Sequence, residues 1–295
     1  MNPIIRENCP DPCVTHMPDG TYVLACTTNH DEEPDKFPLR RSRDLQTWSE
    51  PFAHVFPRGQ LPAWAVADFW APEIHVVDGR LVCYFSARHE GGQLAIGAAT
   101  AASVEGPWHD LGGPLVVGSS VGWIDAHHFH DRASGRRYLY YKGDHNALRP
   151  RQPTPIVVRE LTADGLGFAS EPVTLFVNDR PWESYVVEGP WVVLRDGIYY
   201  LFYAAGEYDT HGYCTGVARA PSPTGPFEKY PQPILTSHDG WSGPGHGCVV
   251  DDVWFVYHAW EGDKIVKHGS TERWPRMALL ARIEWSDWPR FVTTA

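Results

Sequence analysis

Three acidic residues stand beside apolar, strand-like sequence at widely separated places in the chain. Asp11 precedes CVTH, Asp125 lies in WIDAHHFHD, and Glu188 begins EGPWVVL. Hydrolysis of a glycosidic bond needs one carboxylic acid to protonate the leaving oxygen and one carboxylate to activate water. Burial and like-charge repulsion separate the pKa values of neighbouring carboxyl groups, so that one can stay protonated. Any one of these residues could instead bind the amides of a turn, so this chemistry requires that the fold bring them together.

A tight turn followed by an aromatic or β-branched run recurs five times, which is typical of a hairpin entering a buried strand. The five segments are PDGTYVLACT, VDGRLVCYFSA, SGRRYLYYKG, RDGIYYLFYAA and VDDVWFVYHAW. Their turn residues lie 59, 56, 62 and 55 positions apart and are Gly20, Gly79, Gly135, Gly197 and Asp252. Repeats of this kind favour propeller blades over a β-sandwich or a parallel β-helix. The sequence therefore predicts an all-β fold, a five-bladed β-propeller in which residues 1–295 form a single domain.

Polar segments that contain proline recur out of phase with these turns, as SRDLQTWSEPF, ASVEGPWHDLG and ARAPSPTGPFEKY. Proline is tolerated on edge strands, so we expect these segments at the outer edge of the blades. The 26 Pro and 27 Gly are spread evenly and mark no linker.

The residues that begin the strand before each turn occupy nearly the same phase of the repeat. Asp11, Trp70 and Glu188 each lie nine residues before their turn residue, and Asp125 lies ten before its own. His246, in GPGHGCVV, precedes the fifth turn. In a propeller this strand is the innermost, so we expect the five side chains to converge at one end of the central channel.

The composition argues against several kinds of partner. A net charge of −11 without a Lys/Arg cluster disfavours nucleic acid, and no apolar stretch approaches the roughly 20 residues that span a bilayer. Six cysteines without a CxxC pair predict neither a metal framework nor a disulfide scaffold. The opening MNPIIRENCPDP lacks the features of a signal peptide, so we expect a cytoplasmic protein, or a secreted one if a leader was trimmed. The sequence does not predict the oligomeric state.

These motifs together resemble glycoside hydrolase family 43, inverting five-bladed propeller enzymes that act on arabinan, xylan and related side chains. The resemblance runs from NPIIRENCPDPCV through WAPEIH, WIDAHHFHD and EGPWVVLRDGIYYLFYAAGEYD to RWPRMALLARIEWSDWPRF. It implies that Asp11 is the general base, Asp125 the residue that tunes the pKa of the acid, and Glu188 the general acid. Two departures are Ala126, where proline usually follows the aspartate, and Cys13, which replaces a common serine.

The resemblance also implies residues that bind substrate. Trp70 would stack on a bound pentose, His246 would contact the sugar, and an arginine of the closing segment would reach it. Arg276 fits this last role best, with Arg273 and Arg282 as alternatives. Trp70 could instead pack in the inner strand, and His246 could be a hydrogen-bonded core histidine.

We expect no required cofactor, although the resemblance leaves room for a structural Ca²⁺ or another ion on the axis near His246. His127, His128 and His130 do not predict a zinc site, because residue 127 of a strand faces away from 128 and 130 and no Cys or Glu ligand stands nearby in the sequence. Glu73 falls three residues beyond Trp70 in its strand and is expected to face away from it.

The predicted function is an inverting, exo-acting glycoside hydrolase that releases a terminal α-L-arabinofuranosyl or β-D-xylosyl residue from plant-type oligosaccharides or polysaccharides. The expected partner is an arabino- or xylo-oligosaccharide, with no nucleic acid and no membrane. An endo-arabinanase or galactanase of the same family remains an alternative if the mouth of the channel is an open groove. A non-catalytic carbohydrate-binding propeller is the alternative from another class, and it would tolerate the loss of a carboxylate.

Overall fold

The computed structural model describes residues 2–28 and 32–293, and these form five antiparallel sheets arranged as the blades of a β-propeller. Blade 1 contains β1 (Cys13–His16), β2 (Tyr22–Ala25), β3 (Lys36–Ser42) and β4 (Ala53–Phe56). Blade 2 contains β5 (Ala65–Val77), β6 (Arg80–His89), β7 (Leu94–Ala101) and β8 (His109–Asp110), with β9 (Val116–Val117) also paired to β7. Blade 3 contains β10 (Trp123–Asp131), β11 (Arg136–Gly143), β12 (Pro155–Leu161) and β13 (Val173–Val177).

Blade 4 contains β14 (Val187–Arg195), β15 (Ile198–Ala205), β16 (Cys214–Ala220) and β17 (Glu228–Lys229). Blade 5 contains β18 (Trp241–Val250), β19 (Trp254–Glu261), β20 (Arg276–Glu284) and β21 (Arg290–Thr293). Two short 3₁₀ turns, His145–Ala147 and Pro181–Glu183, are the helical segments of the described ranges. None of these residues lies in a helix long and apolar enough to cross a membrane. The predicted all-β, five-bladed, single-domain fold is confirmed.

The hairpin turns follow the turn chemistry of the sequence. Two-residue loops at Asp78–Gly79 and Asp196–Gly197 have positive φ at both residues, the geometry that matches the twist of the flanking strands. The strands that follow the turns, such as β11 and β15, are buried along nearly their whole length. The segments predicted at the blade edges contain or lead into β4, β8 and β17.

Apolar side chains pack mainly between adjacent blades. Phe37 of blade 1 lies 5.6 Å from Phe85 of blade 2, measured between ring centroids, in one such core. Tyr84 and Leu139 belong to the core between blades 2 and 3, and the largest core joins blades 4, 5 and 1. All six cysteines are buried and unpaired. Blade-to-blade packing fixes the inner strands relative to one another, which is what places a site on the axis.

A β-bulge interrupts the inner strand at the same point in blades 2 to 5. The pairing with the neighbouring strand shifts between Trp70 and Glu73, Ile124 and His127, Glu188 and Trp191, and Gly245 and Cys248. One left-handed residue marks the position in every blade: Asp11 (φ 52°), Ala71 (φ 42°), Asp125 (φ 58°), Gly189 (φ 53°) and His246 (φ 43°).

The true register of the repeat therefore differs slightly from the predicted one. Trp70 and Glu188 precede the left-handed residue of their blade, whereas Asp11, Asp125 and His246 are that residue. Counting back from a turn cannot detect the extra residue of a bulge, which re-aims side chains near it.

The N-terminal segment closes the ring. Residues 2–9 run beside β20 of blade 5, where the N–H of Ala278 donates to the carbonyl of Ile5 (3.1 Å) and the N–H of Cys9 donates to the carbonyl of Arg276 (2.8 Å). The side chain of Asn8 accepts from the N–H of Arg276 at 3.0 Å. The chain then passes directly into Asp11 and β1, so the first and last blades meet beside the axis.

Candidate active site

The carboxylate of Asp11 lies among three basic side chains. Its Oδ1 is 3.3 Å from Nη1 of Arg276, 3.3 Å from Nδ1 of His246 and 3.3 Å from Nδ1 of His258. The hydroxyl of Thr27 donates to Oδ2 at 2.6 Å. Burial alone would raise the pKa of Asp11, but these neighbours outweigh it and hold the pKa well below its usual value. Asp11 is therefore ionised across the working pH range.

Asp125 has the opposite environment. Its N–H donates to the hydroxyl of Ser86 (3.0 Å) and its Oδ2 accepts from the N–H of Gly189 (3.1 Å). Burial raises the pKa of Asp125 to about 6, and the charge of Glu188 adds to this while His246 opposes it. Asp11 and Asp125, two carboxyl groups of one channel, therefore have widely different pKa values.

Both carboxylate oxygens of Glu188 have donors. Nζ of Lys142 lies 3.0 Å from Oε2, and the hydroxyl of Tyr213 donates to Oε1 at 2.7 Å. Lys142 is fully buried and also lies 3.4 Å from Oδ1 of Asp144. The side chain of Glu188 keeps 14% of its surface exposed, so it is accessible from the channel.

Gly189 connects the two carboxyl groups to blade 5. A Cβ at this position would lie 2.8 Å from the ring of His246, and its φ of +53° is one that other residues rarely adopt. Its absence of a side chain lets His246 approach while its N–H holds Asp125.

Trp70 precedes a residue whose backbone is linked to Asp11 through a hydroxyl group. The N–H of the following residue, Ala71, donates to the Thr27 hydroxyl at 2.7 Å, and that hydroxyl in turn donates to Asp11. The Trp70 side chain is only partly buried.

Arg276 is the arginine of the closing segment that reaches the carboxylates. Its guanidinium lies over the ring of Tyr208, 5.0 Å from the centroid, and its Nη1 donates to Asp11. The alternatives Arg273 and Arg282 are exposed. The contact that Arg276 makes here is with the proposed base, which the sequence did not predict.

A second polar cluster lies on the inner strands of blades 2 and 3. Oε2 of Glu73 is 2.9 Å from Nε2 of His75 and 3.0 Å from Nδ1 of His127, and these three donor atoms could hold a metal ion. Trp191 packs against the His127 ring at 4.3 Å. The two hydrogen bonds already satisfy one oxygen of Glu73, so the geometry also describes a hydrogen-bonded packing cluster.

The structural ion that the resemblance allows near His246 can be compared with the donors at that place. Ca²⁺ takes six to eight oxygen ligands. Within the described ranges, the recorded polar partner of the His246 ring is the Asp11 carboxylate, which Arg276 already neutralises. These residues do not form a Ca²⁺ shell of protein oxygens, and the chemistry below uses no ion.

Several site residues were not identified from the sequence. Lys142, Tyr213 and His258 lie outside the inner strands, on or beside the second or third strand of their blades, and His258 accepts from the N–H of Asp11 at 3.0 Å. A signal existed for two of them, because Lys142 in LYYKG and His258 in FVYHAW are polar residues inside otherwise apolar strands.

The arrangement matches proteins of one family. A model of the glycosyl hydrolases family 43 matches residues 1–289. The β-D-galactofuranosidase xynD of Aspergillus niger is 36% identical over 279 residues, which cover 87% of this chain and 75% of that protein. The extracellular exo-α-(1→5)-L-arabinofuranosidase of Streptomyces chartreusis is 29% identical over 286 residues, or 90% of this chain and 84% of that one. The crystal structure of a thermostable family-43 glycoside hydrolase aligns with a TM-score of 0.87 at 28% identity, covering 98% of this chain and 94% of that chain.

Proposed function

This chain belongs to the glycosyl hydrolases of family 43 and is a glycoside hydrolase with a carbohydrate substrate. We propose that it is an inverting, exo-acting enzyme that releases a terminal pentose. The sugar would be an α-L-arabinofuranosyl or β-D-xylosyl residue of an arabino- or xylo-oligosaccharide or polysaccharide. The observation that carries the proposal is the unlike environment of the carboxyl groups: Arg276 holds Asp11 ionised, while burial favours the protonated form of Asp125.

In the proposed reaction, Asp11 accepts a proton from water as the water oxygen attacks the anomeric carbon. Glu188 donates its proton to the leaving oxygen, which takes the electron pair of the breaking C–O bond. Asp125, which accepts the N–H of Gly189 and lies within electrostatic reach of Glu188, is the residue that we propose to orient the acid. The products are the free sugar, with inverted anomeric configuration, and the shortened alcohol.

His246 and Arg276 lie beside Asp11, and Trp70 precedes Ala71, whose N–H donates to the Thr27 hydroxyl that contacts Asp11. We propose that these three residues, Trp70, His246 and Arg276, bind the sugar. The partly exposed Trp70 ring offers an apolar face to the ring carbons. The carboxylates around His246 outweigh its burial and raise its pKa, so the imidazole can donate to a hydroxyl group near neutral pH. Arg276 holds the Asp11 carboxylate in place by donating a hydrogen bond to it.

A second sugar is favoured by the name of one relative. The Aspergillus niger protein is called a β-D-galactofuranosidase, and the β-D-galactofuranosyl ring has the ring configuration of α-L-arabinofuranose with an added exocyclic carbon. A pocket for one furanose can therefore accommodate the other if it has space at that carbon. Endo action on arabinan is a further outcome, since relatives named endo-1,5-α-L-arabinosidase also match the chain.

The test is a panel of 4-nitrophenyl glycosides of α-L-arabinofuranose, β-D-xylopyranose, β-D-galactofuranose and β-D-galactopyranose, together with linear arabinan. Release of a single pentose, with the inverted anomer appearing first by NMR, is the expected result. Asp11→Ala and Glu188→Gln should each abolish hydrolysis of natural linkages, while Asp196→Asn on an exposed turn should not. Retention of configuration, or turnover by Asp11→Ala at the wild-type rate, would overturn the mechanism.

We further propose that the reaction requires no metal cofactor, because the three carboxyl groups find partners in protein side chains or backbone. The location stays a prediction from the sequence: cytoplasmic, or secreted if a leader was trimmed. The sequence makes no prediction of the oligomeric state.

A further inference from the structure

We propose that Lys142 is a positioning residue for Glu188, whose ammonium stabilises the carboxylate that Glu188 becomes when it gives its proton to the leaving oxygen. The inference rests on the proposed function, since it assumes that Glu188 is the acid. Lys142 itself touches no reacting atom.

The geometry of the pair carries the inference. Lys142 reaches from β11, the second strand of blade 3, across to β14 of blade 4, and its Nζ stops 3.0 Å from Oε2 of Glu188. Its side chain is 2% exposed, whereas that of Glu188 is 14% exposed. Glu188 is therefore the member of the pair that faces the channel. The Lys142 ammonium lies behind it, shielded from water. A buried ion pair is effective in this low-dielectric position, where water screens it least.

A buried lysine needs an anion nearby to remain charged. Lys142 contacts two carboxyl groups, those of Glu188 and Asp144. Burial opposes the ammonium, but Glu188, Asp144 and Asp125 outweigh that effect and keep the pKa of Lys142 above its usual value. Lys142 therefore carries a fixed positive charge through the catalytic cycle. Glu188, by contrast, changes from neutral to negative as the leaving oxygen is protonated. An interaction that strengthens as proton transfer proceeds stabilises the transition state more than the bound substrate.

The other groups around Glu188 define the background against which Lys142 acts. Tyr213, from the segment before β16, donates to Oε1, and burial raises its pKa well above the usual value, so it stays a donor. The remaining charged or titratable neighbours are Asp125 on the inner strand of blade 3, Asp144 after β11, Tyr208 beyond β15 and His246 on the inner strand of blade 5. Two of these are carboxyl groups. Lys142 is the ammonium that opposes them.

The two effects of Lys142 have opposite signs and can be separated by experiment. The ammonium lowers the pH above which Glu188 loses its proton, which narrows the alkaline side of the pH profile. It also makes Glu188 a stronger acid, which speeds departure of a leaving group that needs protonation. Removing the charge should widen the profile and slow the difficult leaving groups.

The experiment compares wild type, Lys142→Met, Lys142→Arg and Lys229→Met with two aryl glycosides, one with a 2,4-dinitrophenol leaving group and one with an unsubstituted phenol. Lys229 is the matched control, because it is also a buried lysine paired with a carboxylate, 2.7 Å from Oε1 of Glu183, but it lies away from the channel carboxylates. For Lys142→Met we expect the alkaline limb of kcat/KM to move up by about 1–3 pH units. We expect kcat on the phenyl glycoside to fall about 10–100-fold, with a change of less than about 3-fold on the dinitrophenyl glycoside.

Lys142→Arg should keep the alkaline limb near the wild-type position, and Lys229→Met should lower the melting temperature without moving that limb. An equal loss on both leaving groups with an unmoved limb in Lys142→Met would show that Lys142 only supports the fold. If Lys142→Met does not fold, Lys142→Gln replaces it: the amide side chain is polar but carries no charge, so the limb should still move up, and a limb that stays still overturns the inference.

Glu188→Gln separates failure of this inference from failure of the proposed function. If Glu188→Gln hydrolyses the phenyl glycoside at the wild-type rate, Glu188 is not the acid and the proposed function fails. If Glu188→Gln loses that activity and Lys142→Met leaves both readouts unchanged, only the role of Lys142 fails.

Discussion

The backbone N–H of Gly189 donates to Oδ2 of Asp125 over 3.1 Å and so joins blade 4 to blade 3 at the residue after the proposed acid. On its other side, Gly189 leaves space for the ring of His246 from blade 5. Three blades thus meet at one residue without a side chain, and the positions of Glu188, Asp125 and His246 depend on it.

Gly189→Ala should therefore impair catalysis more than folding. The new Cβ would meet the His246 ring at 2.8 Å and must also adopt a φ of +53°. We expect kcat/KM to fall about 100-fold, since a displacement of about 1 Å in a catalytic group has that effect. The control is Gly197→Ala, which has a φ of +78° and nothing within 4 Å of its added Cβ. Gly197→Ala should lose stability but keep its kcat/KM; equal losses of activity in the two variants would contradict the prediction.

The raised pKa of Asp125 has a consequence for stability. Burial puts the folded-state pKa of Asp125 at about 6, above the ordinary value of an aspartate, so the folded protein binds the proton more tightly. This contribution is present below pH 4 and is lost as the pH rises to about 6, by about 2–3 kcal/mol in total. Asp125→Asn cannot ionise and should gain stability relative to wild type between pH 4 and pH 7.5. Urea unfolding at these two values measures it.

Asp196→Asn, on the exposed hairpin turn of blade 4, is the control for that measurement. Its stability relative to wild type should be the same at both pH values. A relative stability of Asp125→Asn that does not change with pH would show that Asp125 is ionised as easily as an exposed carboxyl group.

Arg276 should set the acid side of the pH profile. Its guanidinium is the largest favourable influence opposing the effect of burial on Asp11. In Arg276→Met the pKa of Asp11 rises, so Asp11 becomes protonated at higher pH and the acid limb of kcat/KM moves up by one unit or more. Arg282→Met, which changes an exposed arginine of the same strand, should leave the limb in place. An acid limb that does not move in Arg276→Met would show that Arg276 does not control the pKa of Asp11.

Removal of metal ions should leave the reaction unchanged. Arg276 balances the charge of the Asp11 carboxylate, and Lys142 balances the carboxylate form of Glu188, so neither needs a metal cation for charge balance. Prolonged dialysis against a chelator, followed by metal analysis, should leave kcat and the melting temperature within error of the starting protein. A loss of activity that Ca²⁺ or Zn²⁺ restores would contradict this and direct attention to His246 or to the Glu73 cluster.

The fold could be predicted because its signals are local. The pairs Asp78–Gly79 and Asp196–Gly197 specify tight hairpins by their own backbone preferences, and repetition of such turns at a nearly constant interval specifies blades. The convergence of Asp11, Asp125 and Glu188 followed from that repetition. Symmetry of the ring, rather than any pairwise signal, brought them together.

The partners of these carboxylates could not be predicted in the same way. Lys142 reaches Glu188 from the neighbouring blade, and His258 reaches Asp11 from the second strand of the last blade, so each contact joins distant parts of the sequence. Nothing in the spacing of the chain encodes the direction of a long side chain. The bulge that shifts Trp70 and Glu188 by one residue is equally invisible, because it changes the pairing of a strand and not its composition.

The ring closure at residues 2–9 links the catalytic chemistry to the contact between the first and last blades. The same backbone bonds that hold Cys9 to Arg276 fix the start of blade 1, where Asp11 follows two residues later. A segment held by a few backbone hydrogen bonds opens locally at a lower free energy than the interior of a sheet. Opening of this seam would separate the base from its arginine while the other blades stay folded. On warming, we therefore expect catalysis to decline before the propeller unfolds, because the contact between Asp11 and Arg276 is lost first.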